Sequence, residues 1–296
     1  MTVLKSNISW CTGTLNLTVG CTAVSAGCDH CYAKVLVEDR FNQPFETIRY
    51  HPKRLADLPR FRPKKGKASG RIVPQMVFVN SLSDFWHEDI PAEWIAQTLD
   101  AFEAEPQVIF QILTKRPVRM RQVIADRYRS RGVPANFWLG VSTEDNRVAA
   151  RLNVLRRLKD QVGDFTAFVS VEPIIGPTDT LDFTGVDWVL TGGESGRGAR
   201  HMMHHWLETA NDAALTAGIP LHFKQYGKPL NNPIVVRLMR EERLGVVAAF
   251  KAAIKRGLEL APHEKGGATY RGRVIQEKPA AYQRLADALN PPRLSV

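Results

Sequence analysis

Residues 19–33, VGCTAVSAGCDHCYA, place three cysteines directly after a run of residues typical of a β-strand. Six residues separate Cys21 from Cys28, and two separate Cys28 from Cys31. Thiolates spaced so closely on one loop are suited to a soft metal centre. The stretch therefore predicts a metal site where the first strand of a sheet ends.

Three cysteines leave the type of metal open. A [4Fe–4S] cluster usually has four cysteine ligands, so three would leave one iron free for an outside ligand. Zinc completed by His30, His51 or Cys11 is a second interpretation, and cysteines without metal are a third. The spacing favours an iron–sulfur cluster, because zinc ligands commonly come as two well-separated pairs. Cys11 itself is expected to be a buried small hydrophobic residue.

The rest of the chain alternates short apolar runs with helical stretches. Runs rich in β-branched and aromatic residues predict strands at residues 15–19, 76–80, 108–113, 137–141, 167–171, 188–191 and 221–224. Helical periodicity occurs at residues 92–103, 147–159 and 204–217. This alternation predicts an α/β fold built on a parallel sheet. So many strands favour a full or partial parallel (β/α) barrel, and an open doubly wound sheet is the alternative.

We predict one barrel with two additions. Residues 1–227 form the barrel and include a basic, proline-rich insertion at about residues 40–74. Residues 228–296 form a basic C-terminal extension packed on the barrel, with helices expected at 241–260 and 279–289.

The composition is that of a globular protein without a membrane segment. The chain of 296 residues is 44% hydrophobic and 24% charged, which excludes wholesale disorder. No apolar run approaches the ~20 residues of a membrane helix, and the first ten residues lack the layout of a secretory signal. We expect a cytoplasmic protein, in which four cysteines do not form a disulfide framework.

Positive charge is concentrated in three blocks of the sequence. The net charge is +10, and Lys and Arg outnumber Asp and Glu within residues 49–71, 115–131 and 228–296. A polyanion-binding surface requires such blocks, although faces that only keep a protein soluble have the same composition. The nucleic-acid interpretation selects Lys64, Lys65, Lys67, Arg116, Arg119, Arg271 and Arg273.

Each predicted strand runs into polar or reactive residues. The carboxyl ends of parallel strands in a barrel meet at one mouth, where such folds place their active sites. The strands lead in turn to the cysteines and to residues 80–84, 114–116, 142–144, 170–173, 191–196 and 224–227. We therefore expect a site at this mouth.

These motifs resemble two related groups of proteins. A barrel whose first strand delivers three closely spaced cysteines is similar to the radical S-adenosylmethionine superfamily, in which three residues separate the first two cysteines and an aromatic residue, here His30, precedes the last. Over roughly residues 10–228 the chain more closely resembles the phage Gp37/Gp68-like family of three-cysteine-motif proteins, the DUF5131 type. The matching stretches are residues 19–33, 78–87, 113–117, 139–144, 169–173, 192–196 and 224–227.

The resemblance implies a [4Fe–4S] cluster on Cys21, Cys28 and Cys31, whose open iron would bind the amino and carboxylate groups of S-adenosylmethionine. One electron would cleave the sulfonium C–S bond and give methionine and a 5′-deoxyadenosyl radical. An electron donor such as flavodoxin or ferredoxin is implied. The residues expected to bind the cofactors are His30, Tyr32, Asn80, Ser81, Ser83, Asp84, Ser142, Glu144, Glu172, Gly192, Gly193 and Glu194.

Two of these assignments have a second interpretation. Radical enzymes of this type commonly carry Gly-Gly-Glu after the second strand, whereas here residues 192–194 follow the sixth, and residues 80–84 occupy the second-strand position. Glu172 is expected either to bind the cofactor or to form an internal ion pair with a neighbouring Lys or Arg.

The leading hypothesis is a radical S-adenosylmethionine enzyme that acts on nucleic acid, with DNA favoured, or on a nucleotide. A DNA-lesion lyase similar to spore photoproduct lyase is a specific form of it, in which Trp86, Tyr32 and Tyr226 would stack on a flipped-out base. The second hypothesis is a non-catalytic or regulatory iron–sulfur protein of a phage or defence module, which binds DNA or a partner protein encoded nearby. The third is a zinc-dependent nucleic-acid hydrolase.

Overall fold

The structure is a computed structural model that describes residues 2–66, 70–196, 198–259 and 265–291. Its strands are β1 (Thr2–Val3), β2 (Gly13–Leu15), β3 (Thr18–Val19), β4 (Arg49–Tyr50), β5 (Lys64–Lys65), β6 (Ile72–Val73), β7 (Gln75–Val79), β8 (Val108–Thr114), β9 (Phe137–Thr143), β10 (Ala167–Val171), β11 (Trp188–Thr191), β12 (Leu221–Phe223), β13 (Thr269–Tyr270) and β14 (Arg273–Val274). Its α-helices are α1 (Tyr32–Val35), α2 (Ala92–Glu103), α3 (Pro117–Tyr128), α4 (Ala150–Val162), α5 (His204–Thr216), α6 (Pro233–Glu241), α7 (Val246–Lys255) and α8 (Ala280–Ala288). No helix within these ranges is long and apolar enough to span a membrane.

One large sheet organises the chain, with its strands in the order β1-β2-β7-β8-β9-β10-β11-β12. Neighbours from β2 to β12 are parallel, and β1 runs antiparallel to β2. Because the spatial order follows the chain order, the sheet lacks the reversal that marks a doubly wound fold. The predicted parallel α/β sheet is confirmed. Among the described strands the two ends of the sheet do not pair with each other, so these strands form no closed barrel.

The strand predictions hold closely in the middle of the sheet. Strands β10 and β11 have the predicted bounds, and the other parallel strands from β7 onward differ by one or two residues. The predicted strand at 15–19 is divided in two, because β2 pairs with β7 whereas β3 pairs with β4 outside the main sheet. We call the edge formed by the carboxyl ends of the parallel strands the mouth.

The parallel strands are buried on both faces, as their continuous apolar sequences require. Side chains alternate between the two faces of the sheet. Val77 and Phe110 lie on the face that packs against the helices. Phe78 and Trp188 lie on the opposite face, which we call the inner face, and belong to a second apolar cluster. Trp10 packs in that second cluster, with its ring centroid 4.6 Å from that of Phe78. We call this cluster the apolar floor; its members are Trp10, Cys11, Met76, Phe78, Ile109, Trp138, Phe168, Trp188 and Leu190.

Helix α3 is an element that the sequence analysis did not predict. Met120, Ile124 and Tyr128 recur every four residues and are buried, which is the spacing of an amphipathic helix. Pro117 in the first turn has a φ suited to the start of a helix. The arginines between these positions hide the apolar stripe in the sequence.

In the C-terminal extension, α7 lies within the helix predicted at 241–260, whereas α6 ends at the first residue of that range and was not predicted. Asn232 caps α6 by accepting hydrogen bonds from two backbone amides, and the chain leaves the helical conformation at Arg243, whose φ is +55°. Helix α7 begins after Gly245. Glu259, which is fully buried, accepts a hydrogen bond from Asn232 Nδ2 at 2.8 Å. Helix α8 lies within one residue of the predicted 279–289.

One part of the basic insertion lies near the mouth, and another lies at the amino ends of the parallel strands. Strand β4 pairs with β3, just before the cysteines, whereas the hairpin of β5 and β6 leads directly into β7 and lies at the amino ends of the parallel strands. Asn290 exchanges hydrogen bonds with the backbone of Ile72 and fastens this hairpin to the end of α8. Lys64 and Lys65 are exposed on the hairpin, at the end of the sheet away from the mouth. Lys67 lies outside the described residues.

His222 on β12 is a buried titratable group of the inner face. It is 2% exposed, and its Nε2 lies 2.8 Å from Ser9 Oγ. Burial, followed by the charges of Lys224 and Lys278, lowers the pKa of His222 to about 3. The unfolded chain takes up this proton near pH 6.5, so stability falls as the pH drops from about 6.5 towards 3, by up to about 1.4 kcal/mol per unit.

We expect His222→Gln, which keeps a hydrogen-bonding group beside Ser9, to flatten this loss of stability between about pH 6.5 and 5. Urea unfolding of both proteins at several pH values, followed by tryptophan fluorescence, measures the effect. The difference between the two proteins removes the contribution of the carboxylates. If the free energy of unfolding changed equally with pH in both proteins, the lowered pKa of His222 would be contradicted.

Candidate metal centre at the mouth of the sheet

The cysteine loop, residues 20–31, is tied to the mouth at its first residue. Gly20 N donates to Leu82 O at 3.0 Å, in the segment that follows β7. Gly20 has a φ of +107°, and a Cβ there would lie 2.3 Å from the carbonyl oxygen of Thr47. Glycine alone fits such a position without strain, so it fixes where the chain turns into Cys21.

Glu144, just after β9, holds the middle of the cysteine loop. Its side chain is 1% exposed. Gly27 N donates to its Oε1 at 3.2 Å, and Arg151 Nη1 from α4 donates to its Oε2 at 2.9 Å. A buried carboxylate needs such partners. Glu144 therefore positions the residue before Cys28, and both of its oxygens are used within the protein.

Arg200 and Glu194 hold the loop on both sides of its second cysteine. Glu194, which follows β11, accepts from Arg200 Nη2 at 2.6 Å and lies 3.0 Å from His30 Nδ1. The same guanidinium donates to Ala26 O at 2.8 Å. Burial alone would raise the pKa of Glu194, but hydrogen bonds from Arg200 and His30 hold it below its ordinary value. We call this pair the Arg200–Glu194 clamp.

Arg200 is a site residue that sequence reasoning missed. It lies 174 positions from Ala26 in the chain, and no periodicity relates the two residues. The signal in the sequence is the pair Gly196 and Gly198, whose positive φ values turn the chain after β11. That signal marks a turn and does not show which residue the turn presents.

Arg116 contacts the first cysteine of the loop. Its Nη1 donates to Cys21 Sγ at 3.5 Å, and its Nη2 donates to Thr22 Oγ1 at 2.8 Å. Burial and the charge of Asp84 raise the pKa of the Cys21 thiol to about 11 against the opposing effect of Arg116. The Arg116 side chain is 5% exposed. The expectation that it contacts nucleic acid at the surface is therefore wrong, because its guanidinium is enclosed and bonded within the protein.

The three cysteines of the loop are free thiols of intermediate exposure. In the described part of the chain, no three His, Cys, Asp or Glu side chains come together in an arrangement that would hold a metal ion. By type, three free thiols on one loop match the ligands of an iron–sulfur cluster, so the donor set fits the expected group. Cys11 lies in the apolar floor, where burial raises the pKa of its thiol to about 11; its prediction as a buried residue is confirmed.

Two residues after β7 that were expected to bind a cofactor have structural partners instead. Asn80 takes a φ of +58° and accepts from the backbone amides of Leu17, just before β3, and Thr18, the first residue of β3. Asp84 accepts from Thr114 Oγ1 at 2.7 Å and from Lys115 N at 3.0 Å. Both side chains are buried. They fasten the end of β7 to its neighbours, β2 and β8.

Ser83 and Tyr32 differ from these structural residues. Ser83 Oγ is buried and has no hydrogen-bond partner among the described residues. Tyr32 is 55% exposed, and its hydroxyl donates to the carbonyl of Ser81 at 2.7 Å. Trp86 and Tyr226 are fully buried, so the expectation that they stack on a base is wrong. Tyr32 is the exposed aromatic residue of the expected three.

Four polar side chains lie on the inner face above the apolar floor, and we call Lys115, Ser142, Glu172 and Lys224 the polar ring. Lys115 Nζ donates to Ser142 Oγ at 3.0 Å, and Ser142 Oγ donates to Glu172 O at 3.1 Å. The Glu172 carboxylate pairs with Lys224 Nζ and accepts from Gln225 Nε2 at 2.9 Å. Glu172 is thus in an internal ion pair, the second of the two roles that the sequence suggested.

The two glycines after β11 have different surroundings. A Cβ on Gly192 would lie 3.4 Å from Glu172 Oε1, so Gly192 faces the polar ring. A Cβ on Gly193 would lie 2.1 Å from the carbonyl oxygen of Tyr226. Gly193 therefore lets the segments after β11 and β12 pack together, and the close approach that it permits is to the chain itself.

The remaining basic candidates are dispersed. Arg119 is partly buried and donates to two backbone carbonyls. Arg271 is 54% exposed and pairs with Asp212 at 2.9 Å. Arg273 is exposed on β14, which leads into a segment bonded to β12.

Comparisons with known proteins give matches of two kinds. Among solved structures, the chain is similar to spore photoproduct lyase complexed with dinucleoside spore photoproduct, with a TM-score of 0.45 and 11% identity, over 71% of this chain and 63% of that one. A spore photoproduct lyase variant with bound AdoMet and the same dinucleoside gives a TM-score of 0.44 and 13% identity, over 95% of this chain and 75% of that one. The chain thus spans less than two thirds of the first structure. No curated protein sequence matches it.

A match to a family model shows the family to which the chain belongs. The model described as "Protein of unknown function (DUF5131)" matches residues 5–279, nearly the whole chain. The matched range includes the cysteine loop, both residues of the Arg200–Glu194 clamp and the polar ring. The chain therefore belongs to the DUF5131 family.

Proposed function

We propose that this chain is a cytoplasmic radical S-adenosylmethionine enzyme that acts on nucleic acid, with DNA favoured, or on a nucleotide. Cys21, Cys28 and Cys31 would hold a [4Fe–4S] cluster at the mouth, and a small electron-transfer protein such as flavodoxin or ferredoxin would reduce it. Membership of the phage Gp37/Gp68-like group belongs to the same proposal.

One observation carries this proposal: a loop with three free thiols is fixed by buried ionic groups from three different strand exits. Glu144 bonds to Gly27, the Arg200–Glu194 clamp bonds to residues 26 and 30, and Arg116 bonds to Cys21 and Thr22. Burying so many charges is costly unless each is paired. A loop that served only as a connection would not require such an arrangement. The arrangement supports a role in which the position of the thiols matters.

The protein itself would position the cofactors and exclude water from the space beneath them. When bound, the cluster and S-adenosylmethionine supply one-electron cleavage of the sulfonium C–S bond. Beneath the site, the apolar floor is made of buried, mostly aromatic side chains, which would exclude water. Exclusion of water protects reactive chemistry from side reactions.

The polar ring would bind the anionic part of a ligand. Lys115 Nζ donates to Ser142 Oγ and has no carboxylate partner within 4.0 Å among the described residues. An ammonium group has three donors, so Lys115 keeps two for a carboxylate or phosphate. Ser83, with its unpartnered hydroxyl, and Tyr32, which is exposed beside Cys31, would contact the remainder of the ligand.

The substrate assignment depends on charge. The net charge of +10 and the exposed Arg273 on the mouth side support an anionic substrate. Lys64 and Lys65 lie at the opposite end of the sheet. One bound nucleotide would not reach both places, whereas a longer nucleic acid wrapped along the protein would.

We expect the anaerobically reconstituted, dithionite-reduced protein to release 5′-deoxyadenosine from S-adenosylmethionine, and Cys28→Ala to abolish the release because one ligand of the cluster is lost. Liquid chromatography of the reaction mixture measures the product. Cys11→Ala is the matched control, since Cys11 lies in the apolar floor away from the loop. A cluster without cleavage would favour the regulatory iron–sulfur alternative. Stoichiometric zinc without iron would contradict the proposal.

We expect binding to DNA oligonucleotides to weaken steeply between about 50 and 200 mM salt, because phosphate contacts release counterions. Arg273→Ala and the pair Lys64→Ala/Lys65→Ala are each expected to lower the salt slope by about one unit per lost contact. Fluorescence anisotropy measures the affinity for DNA at each salt concentration. Arg157→Ala, an exposed arginine on α4 outside the basic blocks, is the control. Binding that does not change in either test variant would contradict this assignment of the surface.

A further inference from the structure

Arg116 occupies an unusual position for an arginine. It lies directly between β8 and α3, and its side chain is 5% exposed. Its Nε donates to Glu88 Oε2 at 2.7 Å and its Nη2 to the carbonyl of Thr22 at 3.0 Å. The remaining terminal nitrogen, Nη1, donates to Cys21 Sγ at 3.5 Å. A permanent cation is thus buried against the sulfur of one of the three cysteines.

Within the described part of the chain, three titratable groups besides Cys21 face Arg116, and of these the buried carboxylate of Asp84 opposes its charge at the Cys21 sulfur. Glu88 is 64% exposed, so water screens its carboxylate. Asp84 Oδ2 lies 3.7 Å from Arg116 Nη1, so its negative charge opposes that of Arg116, but the hydrogen bond to the sulfur comes from Arg116 alone among the described residues. Removal of Arg116 would leave the Asp84 charge unopposed beside Cys21. His87 is buried, and burial together with the Arg116 charge lowers its pKa, so it adds no positive charge at neutral pH.

The other two cysteines lack this contact. Within the described ranges, no side chain donates a hydrogen bond to the sulfur of Cys28 or Cys31. The Arg200–Glu194 clamp and Glu144 reach the backbone of the loop at residues 26 and 27 and the ring of His30. Arg116 is the charged side chain in these ranges that donates a hydrogen bond to a cysteine sulfur. That sulfur belongs to Cys21, the first cysteine of the loop.

We propose that Arg116 is a positioning residue that sets the electron affinity of the iron–sulfur centre through its hydrogen bond to Cys21. The inference rests on the proposed function, because it requires a cluster on the three cysteines. Reduction adds one electron, taken from dithionite in the test, and breaks no bond. The added negative charge is shared by the thiolate ligands, so a hydrogen bond and a buried cation at one of them favour the reduced state. Arg116 therefore raises the reduction potential.

A purely structural role would give a different result. Arg116 also links Thr22 to Glu88, and loss of that link alone would lower the amount of cluster bound without changing its potential. Arg116→Met removes the charge and the donors but keeps a long side chain. Arg116→Lys keeps the charge and one donor without the planar fork.

The test is a potentiometric titration, followed by electron paramagnetic resonance, of the anaerobically reconstituted full-length protein. Arg127→Met is the matched control, because it removes the same charge from the far end of α3, where Arg127 pairs with Asp100 and Glu103. We expect Arg116→Met to lower the ratio of reduced to oxidised cluster at a fixed potential by about tenfold, which for one electron is a shift of about 59 mV to more negative potential. Arg116→Lys is expected to shift in the same direction by less, and Arg127→Met not to shift.

An unchanged potential in Arg116→Met would overturn the inference, as would an equal shift in Arg127→Met. Loss of the cluster from both Arg116 variants with the fold intact would also overturn it, since Arg116 would then hold the loop without tuning it. A wild-type protein that binds no cluster would instead refute the proposed function. Iron analysis of each sample separates these outcomes before the titration.

Discussion

The ion pair between Arg200 and Glu194 is the interaction on which the site depends most. Glu194 is almost fully buried, and a buried carboxylate without its cation is strongly destabilising. The pair is also a bridge, because the Arg200 guanidinium reaches Ala26 O and Glu194 reaches His30. The pair therefore joins the cysteine loop to the segment after β11.

The sheet makes such a bridge possible. Its parallel strands follow one another in chain order, so the segments after β7, β9 and β11 emerge at one edge, side by side with those between them. The inner face is mostly apolar around Trp10, and its charged residues Lys115 and Glu172 lie at the mouth. The change from apolar to polar along the strands concentrates charge where the cysteines are held. The ionic groups that hold the cysteine loop are thus gathered at one end of the sheet.

Much of the fold follows from the sequence, because short apolar strands between helices have few alternatives. Strands β10 and β11 and helix α2 have the predicted bounds. Helix α3 was missed because its arginines obscure an apolar stripe that recurs every four residues. Closure of the sheet was not decided by the sequence either, since it depends on pairing between distant strands.

The candidate site was predicted in outline only. Polar residues at strand ends do gather at the mouth, yet Asn80, Asp84 and Glu144 turn out to bond within the protein. Charge in a sequence does not reveal exposure, which is why Arg116 was placed on the surface. Arg200 was overlooked because its partners come from a segment 174 residues away. Such contacts are set by the fold and leave no local pattern.

The central claim is that buried ion pairs hold three thiols where they bind an iron–sulfur cluster. Metal analysis of anaerobically reconstituted wild type, Arg200→Met and Arg256→Met tests it most directly, since Arg256 forms an exposed pair with Glu242 far from the loop in the chain. The account predicts about four iron atoms per chain in the wild type and in Arg256→Met, and markedly less iron in Arg200→Met. Zinc in place of iron in the wild type, or equal iron in all three proteins, would contradict it.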